Sequence, residues 1–285
     1  MKLSTFEHAG RRSAGVVLDD RVLPLAEVNA RRGTRFPEEL LALIASGSTD
    51  ELRRARVEEL AAAAVPLSEV RLRLPYPAPP KIWCIGLNYR SHAEDIQAEQ
   101  PEEPGSFMKP SSALLEPGGA IELPPPELAG EVDAEGELGV VIGKQCRDVP
   151  LESVPEVIFG YSTTLDMTAL DVLRRNPRYL TRAKSFDTFF SFGPVIVTAD
   201  EIAGVDALEV ITEHNGAPYS RDLVRNMRHR PFDLVSFHSR VFTWQPGDLL
   251  STGCPKGARI APGDRVAARI DGVGRLEASV VRRAW

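Results

Sequence analysis

The chain has 285 residues, of which 43% are hydrophobic and 26% are charged, so its composition is that of an ordinary globular protein with a substantial core. Forty acidic side chains against 34 basic ones give a formal net charge of −6, which leaves no basic surface for nucleic acid or anionic lipid as a partner. The N-terminus lacks the apolar core of a signal peptide, and no apolar run is long enough to span a bilayer. A cytoplasmic protein that does not bind membranes is therefore expected.

The first 75 residues predict a small α/β module. Alternating hydrophobicity predicts strands over residues 2–7 and 12–18, and helical periodicity predicts helices over 36–45 and 49–64. Closely spaced prolines follow and predict a stiff extended connector, because proline neither continues a helix nor sits inside a sheet. The predicted division is an N-terminal module at 1–75, a Pro-rich connector at 76–81 and a catalytic domain at 82–285.

Beyond the connector, the sequence consists of short strands separated by glycine and proline turns. The predicted strands are 82–86, 139–143, 159–167, 194–198, 208–214, 248–252, 265–270 and 274–281, and the predicted helices are 88–97, 151–157 and 231–241. This pattern favours an α+β, strand-rich sandwich or barrel-like roll over a doubly wound sheet.

The cysteines Cys84, Cys146 and Cys254 form no Cys-x-x-Cys pair, which argues against a disulfide framework or a zinc knuckle. Reduced thiols fit the cytoplasm. A nucleophile pair of Cys254 and His238 is conceivable, but a single Cys and a single His without a third partner usually serve packing.

Two glutamates in the run 131–143 are the most informative residues. The end of this run predicts a strand, and residues two apart on a strand face the same side, so Glu135 and Glu137 share a face. Alternating acids commonly mark a solvated sheet face, and Asp133 fits that interpretation equally well. The alternative is a hard divalent cation that offsets their repulsion, with Asp166 of a neighbouring strand as the third ligand. From the residues alone, both interpretations stay open.

A series of short motifs is distributed along essentially the whole chain from residue 81 onward. They lie at residues 86–92, 107–112, 133–144, 160–161, 165–169, 183–188, 193–194, 215–216, 246–248 and 252–257. Their order resembles that of the fumarylacetoacetate hydrolase family, and the N-terminal module resembles the one in bacterial members. The resemblance implies that family's mixed β-sandwich roll, commonly as a homodimer.

The resemblance also assigns roles. It implies that Glu135, Glu137 and Asp166 hold Mg2+ or Mn2+, and that Lys184 faces the developing enolate of the substrate. It implies that His92 is the general base on water, in a histidine and acid dyad on a segment that orders as a lid.

The partner of His92 follows from helix geometry. In a helix the residue three ahead of His92 shares its face and the residue two ahead does not, so Asp95 is the candidate and Glu94 is not. Tyr89 and Lys109, within two of the motifs, are predicted to bind substrate.

The chain departs from the family pattern after the metal aspartate. Leu170 and Leu173 stand where arginine and glutamine commonly engage the substrate, and Cys254 stands where threonine is usual. Loss of the arginine, a forked cation, predicts a substrate that is less anionic and more apolar than fumarylacetoacetate or oxaloacetate, unless Arg174 or Arg175 substitutes. This substrate is predicted to contact Leu170, Leu173 and Cys254.

The predicted activity is metal-dependent hydrolysis of a carbon–carbon bond in a small 1,3-dicarbonyl or 2-oxo acid. Such cleavage leaves an enolate whose oxygen needs a metal or a cation, and a histidine suits proton removal from water. A decarboxylase or an isomerase of the 2-hydroxyhepta-2,4-diene-1,7-dioate type is the first alternative. A catalytically silent metal-binding relative is the second.

Overall fold

The computed structural model describes residues 1–95 and 97–283, without the side chain of Asp95. Within these ranges the helices are α1 (Leu25–Arg32), α2 (Leu40–Ser46), α3 (Thr49–Arg54), α4 (Arg90–Asp95), α5 (Leu170–Arg175), α6 (Leu180–Lys184) and α7 (Pro231–Ser239). None of these helices is long and apolar enough to cross a membrane.

The strands of the same ranges alternate with these helices and with short 3-10 turns. They are β1 (Lys2–His8), β2 (Arg11–Leu18), β3 (Arg21–Pro24), β4 (Val65–Pro66), β5 (Arg71–Leu72), β6 (Ile82–Gly86), β7 (Gly105–Met108), β8 (Ala120–Leu123), β9 (Val132–Ile142), β10 (Ile158–Ala169), β11 (Phe190–Phe192), β12 (Val195–Thr198), β13 (Glu209–His214), β14 (Ala217–Leu223), β15 (Leu249–Ser251), β16 (Ala258–Ile260), β17 (Arg265–Ile270) and β18 (Gly274–Arg282).

These strands form two mixed sheets. The larger has the order β4-β3-β2-β1-β12-β10-β9-β15-β6-β7, with β5, β11 and β16 paired to β1, β10 and β9. The smaller has the order β14-β13-β17-β18-β8. The pairs β6–β15 and β8–β18 are parallel, whereas the hairpins are antiparallel. The predicted strand-rich α+β fold is confirmed.

The long hairpin of β9 and β10 lies at the centre of the larger sheet. β9 pairs with β10 on one side and with β15 and β16 on the other, and every residue of β9 is buried. Gly136 turns toward the smaller sheet, where an added Cβ would lie 2.8 Å from Thr212 Oγ1 and 3.2 Å from Ala268 Cβ. Glycine at this position therefore lets the two sheets approach behind the glutamates.

The N-terminal strands extend the larger sheet. β1 pairs with β2 and also with β12, where Lys2 lies opposite Val197. In the Pro-rich segment, the hydroxyl of Tyr76 donates a hydrogen bond of 2.9 Å to the carbonyl of Gly247. The division into module, connector and catalytic domain stays a prediction.

Several predicted boundaries are wrong, and backbone conformation explains them. The helix predicted over 49–64 ends at Arg54 and resumes as a 3-10 helix, because Arg56 adopts a left-handed conformation with φ of 51°. Of the residues 88–97 predicted as a helix, the described ones are helical at Arg90–Asp95, and Leu87 and Gln97, which flank this stretch, both have φ of 57°. The sequence pattern also missed α1, and it began β9 seven residues too late.

Candidate active site

Three carboxylates converge on the central hairpin. Glu135 on β9 lies directly opposite Asp166 on β10, and Glu137 follows on the same face of β9. One carboxylate oxygen from each residue lies within 4.8 Å of the others. Their residue exposures are 6%, 1% and 0%, so the solvated-face interpretation is wrong for these three acids. Asp133, on the same face, forms an ion pair of 2.5 Å with Arg259 instead.

Neighbouring donors orient the glutamates. Thr168 Oγ1 donates a hydrogen bond of 2.5 Å to Glu135 Oε1. Ser251 Oγ and the backbone N–H of Gly253 donate to Glu137 Oε2 at 2.5 and 2.9 Å. Gly253 has a φ of 93°, a conformation that favours glycine and aims its N–H at the carboxylate. The carboxylates are therefore held in place by the strands and the adjoining turn.

Lys184, the last residue of α6, supplies a positive charge to this cluster. Its Nζ lies 3.0 Å from Glu135 Oε2 and 3.0 Å from Asp166 Oδ2. The ammonium group also stands 4.8 Å from the ring centre of Phe107. Burial alone would lower the pKa of Lys184, but the carboxylates around it outweigh burial and hold that pKa above its usual value.

The site still carries excess negative charge. Burial, followed by the charges of Asp166 and Glu135, raises the pKa of Glu137 to about 8. Burial would also raise the pKa of Glu135, but the charges of Lys184 and His92 outweigh it and hold that pKa below its usual value. Three buried carboxylates with oxygen donors only are a suitable ligand set for Mg2+ or Mn2+, and the charge on Glu137 is what such an ion would stabilise.

Lys109 lies behind Asp166 rather than on a cavity wall. Its Nζ is 2.6 Å from Asp166 Oδ1 and donates to the carbonyl oxygens of Met167, Lys184 and Phe189 at 3.0, 2.6 and 2.6 Å. The side chain is fully buried. This geometry does not favour the predicted substrate contact, because every donor direction already points at a protein oxygen. Lys109 instead holds Asp166 in place.

Tyr89 is likewise in the core. It is 0% exposed, pairs through its backbone with Met227 and packs in a hydrophobic cluster with Ile85 and Trp244. The predicted substrate contact of Tyr89 is not favoured either, because its ring does not line the cavity described below.

His92 lies on α4, which is anchored to the turn after β15. Asn88 Nδ2 donates to the carbonyl of Thr252 at 2.7 Å, and Ser91 Oγ donates to the carbonyl of Pro255 at 2.9 Å. A ring nitrogen of His92 lies within 4.8 Å of a Glu135 carboxylate oxygen and of Cys254 Sγ. The histidine is half-buried, and among the described residues its Nδ1 has no hydrogen-bond partner.

The predicted dyad partner, Asp95, has its side chain outside the described part of the chain. Glu94 accepts a hydrogen bond of 2.8 Å from Arg90 Nε on the exposed side of α4. Glu94 thus forms its contact away from the site, as helix geometry predicts. The role of Asp95 stays a prediction.

A cavity of about 430 Å³ opens above Glu135. His92, Lys184 and Cys254 line its polar end. The apolar wall is formed by Leu170, Leu173, Leu180 and Phe107, and Ala98 and Pro101, before β7, and Gly105, at its start, also line the cavity. Leu170 and Leu173 both reach the cavity from α5, where they were expected.

Arg174 is at the rim of this cavity, and its Nη1 forms an ion pair of 2.7 Å with Glu131. Arg175 forms its contact with Asp171 instead, at 3.5 Å. Arg174 is therefore the cation of α5 that borders the cavity.

Sequence reasoning missed several residues of the site. Thr168 could have been found, since it lies two residues after Asp166 on the same face of β10 and borders the cavity. Ser251 lies next to a recognised motif. Leu180 had no sequence signal, because only the fold brings α6 beside α5.

A second cavity, of about 400 Å³, lies beside Tyr161 and Phe232, with the Asp206–Arg230 ion pair of 2.9 Å at its edge. Within residues 1–95 and 97–283, both clusters of three metal-ligating side chains belong to the first cavity region and share Glu135. The first cavity is the candidate active site.

Known proteins share this fold and sequence. Residues 81–281 match the family model for the fumarylacetoacetate (FAA) hydrolase C-terminal domain. Oxaloacetate tautomerase YisK of Bacillus subtilis is 32% identical in an alignment 298 positions long, which covers 97% of this chain and 98% of that protein. The chain belongs to the fumarylacetoacetate hydrolase family.

Solved structures also resemble this chain in fold and sequence. The crystal structure of maleylpyruvate hydrolase from Sphingobium sp. SYK-6, in complex with manganese(II) and pyruvate, is 32% identical, with a TM-score of 0.82 and full coverage of both chains. The 2-hydroxyhepta-2,4-diene-1,7-dioate isomerase from Mycobacterium marinum is 31% identical, with a TM-score of 0.76 and full coverage of both chains. The similar proteins thus include a hydrolase, an isomerase and a tautomerase.

Proposed function

We propose that the chain is a divalent-metal-dependent enzyme that hydrolyses a carbon–carbon bond in a 1,3-dicarbonyl or 2-oxo acid, with an acylpyruvate bearing an apolar acyl group as the substrate class. One observation carries the proposal: Glu135, which clusters with Glu137 and Asp166, lines the same cavity as Lys184 and His92. Similarity to the maleylpyruvate hydrolase, whose structure holds manganese(II) and pyruvate, supports the same chemistry.

The electrophilic side of the reaction belongs to the β9–β10 hairpin. Glu135, Glu137 and Asp166 would hold Mg2+ or Mn2+, which when bound supplies a Lewis acid for the negative charge on the enolate oxygen. Lys184 reaches the same region with its ammonium group and donates a hydrogen bond to the oxygen on which charge develops. Lys109 keeps Asp166 oriented from behind.

The proton transfers belong to His92. The imidazole takes a proton from a water molecule, whose oxygen adds to the carbonyl carbon of the acyl group. The carbon–carbon bond next to that carbonyl then breaks, and its electron pair becomes the enolate of the 2-oxo acid. The imidazolium returns its proton to the enolate carbon, so the products are a carboxylic acid and the shorter 2-oxo acid.

The apolar wall defines which acyl group fits. Leu170 and Leu173 of α5, with Leu180 of α6, contribute to the apolar lining of the cavity. Desolvation of an anionic acyl group against three leucines is unfavourable, whereas an apolar chain gains about 25 cal/mol per Å² that it buries. Arg174 pairs with Glu131 at the rim, which reduces its attraction for a second substrate carboxylate.

A panel of substrates tests the proposal. The full chain is assayed with Mn2+ or Mg2+ against an apolar acylpyruvate, a dianionic acylpyruvate and oxaloacetate, with enol absorbance and product mass as readouts in 18O-labelled water. Expected is one 18O atom in the carboxylic acid released from the apolar acylpyruvate. Lys184→Met should lower this rate about 100-fold or more, and Lys144→Met, at an exposed position, is the matched control. Consumption of the enol without carboxylic acid release would contradict hydrolysis.

A second candidate is keto–enol tautomerisation of oxaloacetate. The Bacillus subtilis tautomerase aligns with 97% of this chain, and tautomerisation needs stabilisation of the enolate but no attack by water. In the same panel, this activity would convert enol to keto oxaloacetate at unchanged mass. Release of carbon dioxide would instead identify a decarboxylase.

A further inference from the structure

A second set of metal-ligating side chains adjoins the carboxylate triad. A ring nitrogen of His92, a carboxylate oxygen of Glu135 and the thiol sulfur of Cys254 all lie within 4.8 Å of one another. Cys254 is 1% exposed, and His92 Nδ1 lacks a hydrogen-bond partner among the described residues. Glu135 belongs to both sets, so the two potential ion positions are neighbours.

The two sets differ in ligand chemistry. Carboxylate oxygens alone suit hard ions such as Mg2+ and Mn2+, whereas thiolate and imidazole ligands favour borderline ions such as Zn2+. Bonds of about 2.0–2.3 Å to zinc place tetrahedral ligand atoms roughly 3.5 Å apart. Because no two ligand atoms of this trio are more than 4.8 Å apart, their separations exceed the tetrahedral spacing by at most about 1.3 Å.

We propose that His92, Glu135 and Cys254 form a Zn2+ site beside the hard-ion site, with its fourth position open to the cavity. Binding converts the Cys254 thiol to a thiolate, and its proton passes to solvent. The imidazole lone pair then belongs to the zinc ion and no longer accepts a proton from water. Zn2+ binding at this site does not depend on the proposed function. The expected inhibition of turnover by Zn2+ rests on the proposed function, because it requires His92 to be the general base.

Cobalt(II) spectroscopy tests the site without reference to activity. The full chain, freed of metal by a chelator, is titrated with Co2+ and examined for near-ultraviolet thiolate-to-cobalt charge-transfer absorption. The wild type and Cys146→Ser, a half-buried cysteine outside the trio, should both show the band. Cys254→Ser should lose it while still binding Mn2+, measured by electron paramagnetic resonance. No band in the wild type, or an undiminished band in Cys254→Ser, would overturn the site.

Zn2+ calorimetry extends the test to the other ligands. Cys254→Ser and His92→Ala should each weaken Zn2+ binding at least about tenfold, since loss of an outer-shell partner alone typically costs that much. His8→Ala, an exposed histidine, is the matched control and should leave the affinity unchanged. Equal Zn2+ affinity in all four proteins would overturn the proposal. Tight Zn2+ binding that leaves turnover at saturating Mn2+ unaffected would support the site and contradict the base role of His92.

Discussion

The candidate site has two halves of different construction. The carboxylate half lies on the long hairpin of β9 and β10, where Glu135, Glu137 and Asp166 are almost fully buried and bound by donors on both sides. The substrate half is built from short helices: α4 carries His92, and α5 carries Leu170 and Leu173. Under the proposed function, the groups that would hold the metal are thus on paired strands, while His92, Leu170 and Leu173, which would process or select substrate, are on six-residue helices.

This difference has an energetic basis. A paired strand has its backbone hydrogen bonds on both edges, so its side chains move little, whereas a six-residue helix has few internal hydrogen bonds and depends on its contacts. Changes in the hairpin half should therefore abolish chemistry or stability, and changes in the helical half should alter rate or preference.

Glu137→Gln should have the largest effect. The substitution removes a carboxylate charge from the triad and leaves the ligand set incomplete, so metal-dependent turnover should fall by more than about 100-fold, the upper end of what outer-shell changes cause. Turnover at saturating Mn2+ and Mn2+ affinity are the measurements. Glu152→Gln, at an exposed position, is the control. Retained Mn2+ affinity in Glu137→Gln would mean that Glu137 is not a ligand.

His92→Ala should reduce hydrolysis by about 100- to 10,000-fold, the usual contribution of a general base. Enolisation that depends only on the metal should survive, measured as exchange of substrate C–H for deuterium. His8→Ala controls for the loss of a histidine. Simultaneous loss of hydrolysis and exchange would refute the separate roles of the two halves.

Lys109→Met should destabilise the protein by about 3–5 kcal/mol, because the buried Asp166 Oδ1 loses its ion-pair partner and three carbonyl oxygens lose a donor. Urea denaturation in the absence of metal measures the change. Lys144→Met, on the surface, should change the free energy of unfolding by less than about 0.5 kcal/mol. Equal stability of the two variants would contradict the supporting role of Lys109.

Leu170→Arg combined with Leu173→Gln should shift preference toward dianionic 2-oxo acids. One carboxylate contact in a partly dry site is worth about 2–5 kcal/mol on truncation, or roughly ten to several thousandfold in the ratio of kcat/KM values. Leu151→Arg, which is 47% exposed, is the control. An unchanged ranking of substrates would show that these leucines serve packing alone.

The stability of the metal-free protein should also depend on pH through Glu137. Glu137 has a pKa of about 8 in the folded chain against 4.5 in an ordinary environment, so between these values the folded state retains a proton that the unfolded state has lost. Stability of the metal-free protein should therefore fall as pH rises through this window, by up to about 1.4 kcal/mol per pH unit for one proton.

Comparison with Glu137→Gln isolates this effect. Burial lowers the pKa of His229 and of His238, so these residues favour stability as pH rises toward 6.5, equally in both proteins. The difference in unfolding free energy between wild type and Glu137→Gln should therefore change steadily with pH across the window. A constant difference would contradict the raised pKa of Glu137.

The carboxylate half could be predicted from sequence because its residues obey strand periodicity. Glu135 and Glu137 are two apart, and Asp166 lies in the next long strand, so local geometry brings them together. The burial of that face could not be predicted, because Gly253 and Gly257, which lie against Glu137 and Glu135, come more than a hundred residues later. The alternation alone therefore left the solvated-face interpretation open.

The helical half was only partly predictable. Leu170 and Leu173 were expected in the cavity because three residues apart share a helix face. Motif membership was a poor guide for Tyr89 and Lys109, since a residue beside a site can equally serve the core or hold a ligand from behind. Left-handed residues such as Leu87 and Arg56, which have no Gly or Asn signal, also set boundaries that periodicity missed.

Anomalous diffraction from crystals grown with Mn2+ and a 2-oxo acid would locate the metal and the substrate together. One Mn2+ is expected within about 2.0–2.3 Å of oxygen atoms from Glu135, Glu137 and Asp166, with Lys184 and His92 facing the bound acid in the same cavity. An anomalous peak away from these carboxylates, or a 2-oxo acid bound outside this cavity, would contradict this expectation.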